Sequence, residues 1–222
     1  RTQEQYLEKL KSMRHNIYLD GECIGRDDPR IVKASSAIRM TFSLVDNPEM
    51  HDLMTATSHI TGKTINRFTH IHQCPEDLLK KQEMTRKICG MCGGCVQRCM
   101  GIDMMNALSS VVKDVDTKYG TPYYERFLKF LEYFQEDYAI AFAIPADTEG
   151  VYLIGREAFS QERDANLDAP ITSAGDIESM TVFDNVFVPN ERIFLNGEVD
   201  FAGKLALRFA LYHRHSYTGC KP

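Results

Sequence analysis

Apolar residues recur at helical spacing through the first two-thirds of the chain. Tyr6, Leu7, Leu10 and Met13 share one helix face, and Thr2 followed by Gln5 reads as a capping box at its start. Asn47-Pro48 and Cys74-Pro75 each put proline at a predicted first helical position, where no amide hydrogen is needed. After Pro75, Glu76 and Asp77 come early and Lys80, Lys81, Arg86 and Lys87 later, the order a helix dipole favours. Met100, Met104, Leu108, Val111 and Val115 predict a long helix that stops at Gly120. Thr121-Pro122 opens another, with Phe127, Leu128, Leu131 and Phe134 on its apolar side.

The period then falls to two. Tyr138, Ile140, Phe142 and Ile144 alternate with alanines, which predicts a strand, and 151–154 and 180–188 predict two more. Pro145, Asp147, Gly150, Pro170 and Gly175 mark loops between them. From about Phe201 helical spacing returns through Leu205, Arg208, Phe209, Tyr212 and His213. The order predicts an α+β fold in three parts: a helical domain at 1–136, a β-domain at 137–196 and the start of a second helical domain at 197–222.

Two junctions are abrupt. The helix through Phe134 meets the strand at Tyr138 across only Gln135, Glu136 and Asp137, with no glycine, proline or asparagine to stop it. The last helix breaks off at Cys220, Lys221 and Pro222. Both predict absent segments, one near 136/137 and one after 222.

Composition narrows the function. A chain of 222 residues that is 43% hydrophobic can bury a sizeable core. The net charge of −5 leaves no basic footprint for nucleic acid. No uninterrupted apolar run approaches the ~18 residues of a membrane span, and the polar start does not read as a signal peptide. Four of the seven cysteines, Cys89, Cys92, Cys95 and Cys99, fall within eleven residues, which suits metal ligation better than a disulfide framework.

Two readings of that cluster stay open on chemistry alone. Cys89-x2-Cys92-x2-Cys95-x3-Cys99 matches a ferredoxin run, with Met100 where proline usually follows, and makes an electron carrier with a self-contained [4Fe-4S] centre. In the other, only Cys95 and Cys99, which share a helix face, are ligands, and His213 and Cys220 complete the site from far along the chain. Isolated Cys23 and Cys74 read as structural, and His70 with His72 as structural or flavin-proximal.

Five stretches carry a resemblance: KTINRFTHIHQ (63–73), CVQRCMGID (95–103), FDNVFVPNERIF (183–194), DFAG (200–203) and YHRHSYTGCK (212–221). In this order they resemble the 4-hydroxybutyryl-CoA dehydratase family, a branch of the 4-hydroxyphenylacetate 3-hydroxylases. The stretch at 183–194 is less specific, since acyl-CoA dehydrogenases and the hydroxylases carry similar ones. The resemblance implies an acyl-CoA dehydrogenase-like fold with a truncated C-terminal bundle. It implies FAD and one [4Fe-4S] cluster, a CoA thioester substrate, and a cytoplasmic homotetramer that dehydrates 4-hydroxybutyryl-CoA to crotonyl-CoA and isomerises vinylacetyl-CoA. By position it implies Cys95, Cys99, His213 and Cys220 as cluster ligands. His213 would also act as base at C2, Tyr217 as proton donor, Gln97 as a substrate contact and Lys221 as a neighbouring positive charge. The resemblance implies no ligand role for Cys89 or Cys92.

Overall fold

A computed structural model describes residues 2–94, 96–137, 144–155 and 179–220, leaving aside the side chains at 136, 137, 219 and 220. The first helix, α1 (Gln3–Ser12), begins with the expected box: Gln5 N–H donates to Thr2 Oγ1 at 3.3 Å and Thr2 N–H to Gln5 Oε1 at 2.9 Å. Three short helices follow, α2 (Pro29–Ala34), α3 (Ser36–Ser43) and α4 (His51–Met54). Pro48 does not open a regular helix. Asn47 ends a 3-10 turn and accepts from His51 N–H at 2.8 Å, so the chain turns once before α4.

The long helices are α5 (Pro75–Cys92), α6 (Cys99–Tyr119), α7 (Tyr123–Asp137) and α8 (Val199–Cys220). Pro75 opens α5 as expected, with Asp77 capping its first turn. Gly120 closes α6 at φ 67, a backbone region that side chains disfavour. Asp116 then accepts from Tyr123 N–H at 2.9 Å and Tyr124 N–H at 2.8 Å, tying the end of α6 to the start of α7.

Four short strands lie in the stretch expected to be helical. They are β1 (Ile17–Leu19), β2 (Glu22–Ile24), β3 (Thr55–Thr57) and β4 (Thr64–Asn66). The β-region adds β5 (Val151–Gly155) and β6 (Ser179–Phe183). One sheet has the order β2-β1-β5-β6, with β1 parallel to β5 (Ile17 opposite Leu153) and the other pairs antiparallel. The other sheet is the β3–β4 hairpin. Side chains clamp the first hairpin onto β5. Arg14 Nη2 donates to the Thr148 carbonyl at 2.7 Å, Asn16 Nδ2 to Val151 O at 2.8 Å, and Arg26 Nη2 to Asn16 Oδ1 at 2.7 Å. Gly150 is required here: a Cβ would lie 2.2 Å from the Asp184 carbonyl oxygen.

The strand expected over 180–188 ends at Phe183, because Asn185 turns through φ 50. The strand expected at 138–144 lies outside the described residues save Ile144, which sits in a bend. Glu136 and Asp137 are consecutive residues of α7.

Two hydrophobic clusters hold the helices together. Val111, Val112, Val115, Phe127, Leu131 and Phe134 pack α6 on α7, closed by Phe194 and Phe201. Met54, Phe68, Met84, Ile88, Cys89, Cys99 and Ile102 pack α4 and α5 against the start of α6. Each large side chain buried this way contributes roughly 1.5–3 kcal/mol. The expected apolar face of α6 holds in its second half, where Val111 and Val115 are fully buried, and fails at its start, where Met100 is exposed while Ile102, Asp103, Asn106 and Ser109 are buried. There the inward face mixes apolar and polar residues, which hides it from a search for apolar periodicity.

Candidate metal centre

Gly93 ends α5 in the left-handed region at φ 68, and the chain turns towards α6 within a few residues. Gln97 in that turn also adopts positive φ, 55, which costs a non-glycine residue about 1–3 kcal/mol and is found where surrounding structure enforces it. Arg98 follows, its guanidinium 4.4 Å from the Phe42 ring centroid and 4.8 Å from that of Phe68. Cys99 is the first residue of α6 and is fully buried.

Across from it runs α8, packed along α5 and α6. Here Cys99 on α6, Asp103 one turn later and His213 on α8 converge, with one donor atom from each within 4.8 Å of the others. Among the described residues this is the group of thiol, imidazole and carboxylate able to hold a metal ion. Asp103 is its hub. Lys81 Nζ on α5 donates to Asp103 Oδ1 at 2.7 Å, with both side chains fully buried. Ser216 Oγ donates to the same oxygen at 3.1 Å, and His213 Nδ1 meets Oδ2 at 3.2 Å. The His213 ring also stacks on Phe209, four residues earlier, at 5.4 Å and 7° between planes.

Of the residues implied as ligands, the structure brings Cys99 and His213 together. Cys95 and Lys221 lie outside the described residues, as does the Cys220 side chain. Tyr217, one turn beyond His213, is 51% exposed, and Gln97 is exposed at the turn. Cys89 is buried among Met84 and Ile88, and Cys92 packs beside that cluster with its thiol pushed up by burial and by Cys89. The donor set of thiolate and imidazole from two helices fits iron–sulfur ligation. Cys23 and Cys74 are exposed.

Asp103, Lys81 and Ser216 were not expected from the pattern of the sequence. By its place in the sequence Lys81 belongs with the charges that complement the α5 dipole, yet it is buried. The available signal was its spacing: Lys81, Met84, Thr85 and Ile88 share one face of α5, so a lysine there points inward. Asp103 follows Cys99 by four residues and shares its face.

A cavity of about 380 Å³ lies beside the centre, lined by His72, Asn106, Lys113, Arg208 and Tyr212 among others. Neither ring nitrogen of His72 meets a hydrogen-bond partner among the described residues. Burial, reinforced by the Lys81 charge, pushes His72 down to about 3. His70 is buried and pairs through Nε2 with Asp77 at 3.1 Å. Burial alone would raise Asp77, but the Gln73 amide and His70 outweigh it and hold the carboxyl at about 2.

The helices and the mixed sheet have the architecture of one family. The chain belongs to the family described as 4-hydroxyphenylacetate 3-hydroxylase N terminal, whose profile matches residues 2–137 and again 134–195. Within it, the chain is 34% identical to the 4-hydroxybutyryl-CoA dehydratase/vinylacetyl-CoA-Δ-isomerase of Clostridium aminobutyricum, over 99% of this chain and 61% of that protein. The structure of an oxygen-tolerant archaeal 4-hydroxybutyryl-CoA dehydratase from N. maritimus superposes with a TM-score of 0.86 at 28% identity, covering 99% of this chain and 59% of that one. The oxygenase component of a 4-hydroxyphenylacetate 3-monooxygenase, solved with FAD, shares the fold at a TM-score of 0.75 and 16% identity, over 99% of this chain and 61% of that one. The chain thus spans about three-fifths of the length of these relatives. The alignment to the Clostridium protein runs over 297 positions for a chain of 222 residues.

Proposed function

We propose that the chain belongs to an enzyme that dehydrates 4-hydroxybutyryl-CoA to crotonyl-CoA and isomerises vinylacetyl-CoA, using FAD and a [4Fe-4S] cluster. The observation that carries the reading is the meeting of Cys99 with His213, from helices more than a hundred residues apart, in a chain 34% identical to such a dehydratase. Cys95, Cys99, His213 and Cys220 would hold the cluster. When bound, the flavin supplies one-electron chemistry and the cluster supplies Lewis acidity toward the C4 hydroxyl.

The chain's own residues handle the protons. His213, on leaving iron, would accept one from C2 of the thioester, work that suits a free imidazole. Tyr217 lies four residues along the same helix and would return a proton. Gln97 orients the substrate from the strained turn, and Lys221 adds positive charge nearby. The working assembly is a homotetramer in the cytoplasm. The family match in two stretches meeting at 134–137 supports a junction there between a mainly helical part at 1–136, whose first hairpin joins the sheet of the next part, and a β-part at 137–196, with a segment present in the relatives and lacking here. The part at 197–222 opens a C-terminal helical domain.

Iron, acid-labile sulfide and flavin analysis of anaerobically purified protein tests this reading. Four irons and four sulfides are expected, with loss of the cluster in Cys220→Ala and retention in Cys92→Ala. The reverse pattern would mean a ferredoxin-like carrier. Flavin without iron or sulfide would mean a monooxygenase of the hydroxylase branch, the reading favoured by the family's own description.

A further inference from the structure

We propose that Asp103, held by Lys81, is the positioning residue that fixes the tautomer and orientation of His213 toward iron. The inference rests on Cys99 and His213 being iron ligands. Asp103 receives three contacts, from Lys81 at 2.7 Å, Ser216 at 3.1 Å and His213 Nδ1 at 3.2 Å. An ionised carboxylate can only accept, so the Nδ1 that faces it carries the hydrogen. The ring's lone pair then sits on Nε2, the arrangement in which a second-shell carboxylate orients a metal-binding imidazole.

The placement on the helices adds to this. Asp103 stands one turn after Cys99 on α6, so the element that presents the thiolate also sets the ring opposite. Lys81 comes from α5 and Ser216 from α8, which joins the three helices at one carboxylate. Lys81 also cancels the charge of Asp103, so the ring gains its orientation without a net negative charge beside the thiolates. Buried ion pairs seldom stabilise a fold more than an apolar pair of similar volume would. A fully buried pair touching a metal-binding histidine is therefore better explained by position than by stability.

The test measures iron retention. Wild type, Asp103→Asn, the apolar pair Lys81→Met with Asp103→Leu, and Arg208→Met are purified anaerobically with their clusters. Arg208 pairs with Asp114 at 2.6 Å and joins α6 to α8 away from Asp103, so it controls for general loosening of that contact. Each protein is checked by circular dichroism and then exposed to a chelator under mild oxidation. Loss of one iron is followed by iron content and by the electron-paramagnetic signal of a three-iron cluster. Asp103→Asn and the apolar pair are expected to lose the fourth iron roughly 10–100-fold faster than wild type, with native circular dichroism in the apolar pair. Arg208→Met is expected to keep it. Equal retention in wild type and the apolar pair overturns the assignment, as does equal loss in Arg208→Met. A wild type without iron overturns the reading of the site as well.

Discussion

Two lysine–aspartate pairs bridge to Asp on α6 or α8, and they behave oppositely. Lys118 and Asp200 meet at 2.5 Å near the start of α8, with side chains 53% and 42% exposed. Lys81 and Asp103 meet at 2.7 Å near its end, with no exposure. The first pair sits in water, which screens it, and both groups are well solvated if it opens. The second has surrendered its solvation, so either member alone is an unpaired buried charge. Similar distances thus describe one dispensable contact and one that the local structure cannot lose by halves.

The largest expected effect comes from breaking the buried pair on one side. Asp103→Ala should lower unfolding free energy by about 3–5 kcal/mol in urea melts, because Lys81 is stranded. Removing both charges, as in Lys81→Met with Asp103→Leu, should recover most of that loss. A double variant as unstable as the single one would mean that the cost lies in packing and not in charge.

Acid should act on the neighbouring cavity next. His72 is held neutral in the fold, at about 3, against a usual value near 6.5. Between these values the unfolded chain binds a proton that the folded one refuses, so stability falls as pH drops from about 6.5 toward 3. Asp77, held at about 2, contributes a further loss below about 4. Melting temperatures across pH 4–7 should slope less steeply in His72→Phe than in wild type. Parallel slopes would remove His72 from the account.

The smallest effect is expected at the surface pair. Lys118→Met should shift the melting temperature little, and the shift should vanish in high salt. A large, salt-independent change would erase the contrast between the two pairs.

The same contrast explains what could be seen in the sequence. The Thr2–Gln5 box, Pro75, Gly120 and the long helices were legible because their signals are local and lie within a few residues. Three-residue strands such as β1 and β3 carry too little alternation to be distinguished, and β1 finds its partner Leu153 far along the chain. That Cys99 and His213 come together was legible through their motifs. Lys81 and Asp103 were not, since a charge in a helix reads as solvent-facing until the three-dimensional partner is known.

The pairing of Cys99 with His213 also sets a clock. A chain leaving the ribosome at roughly 5–20 residues per second presents Cys99 on the order of ten seconds before His213 exists. The β1–β2 hairpin waits in the same way for β5, with which it shares a sheet. Throughout that interval the helical segment is present while the corner of Cys99, Asp103 and His213 is half built. On the proposed reading, iron delivered before α8 has emerged would meet cysteines without their histidine, so loading would follow the closure of α8 over α5 and α6.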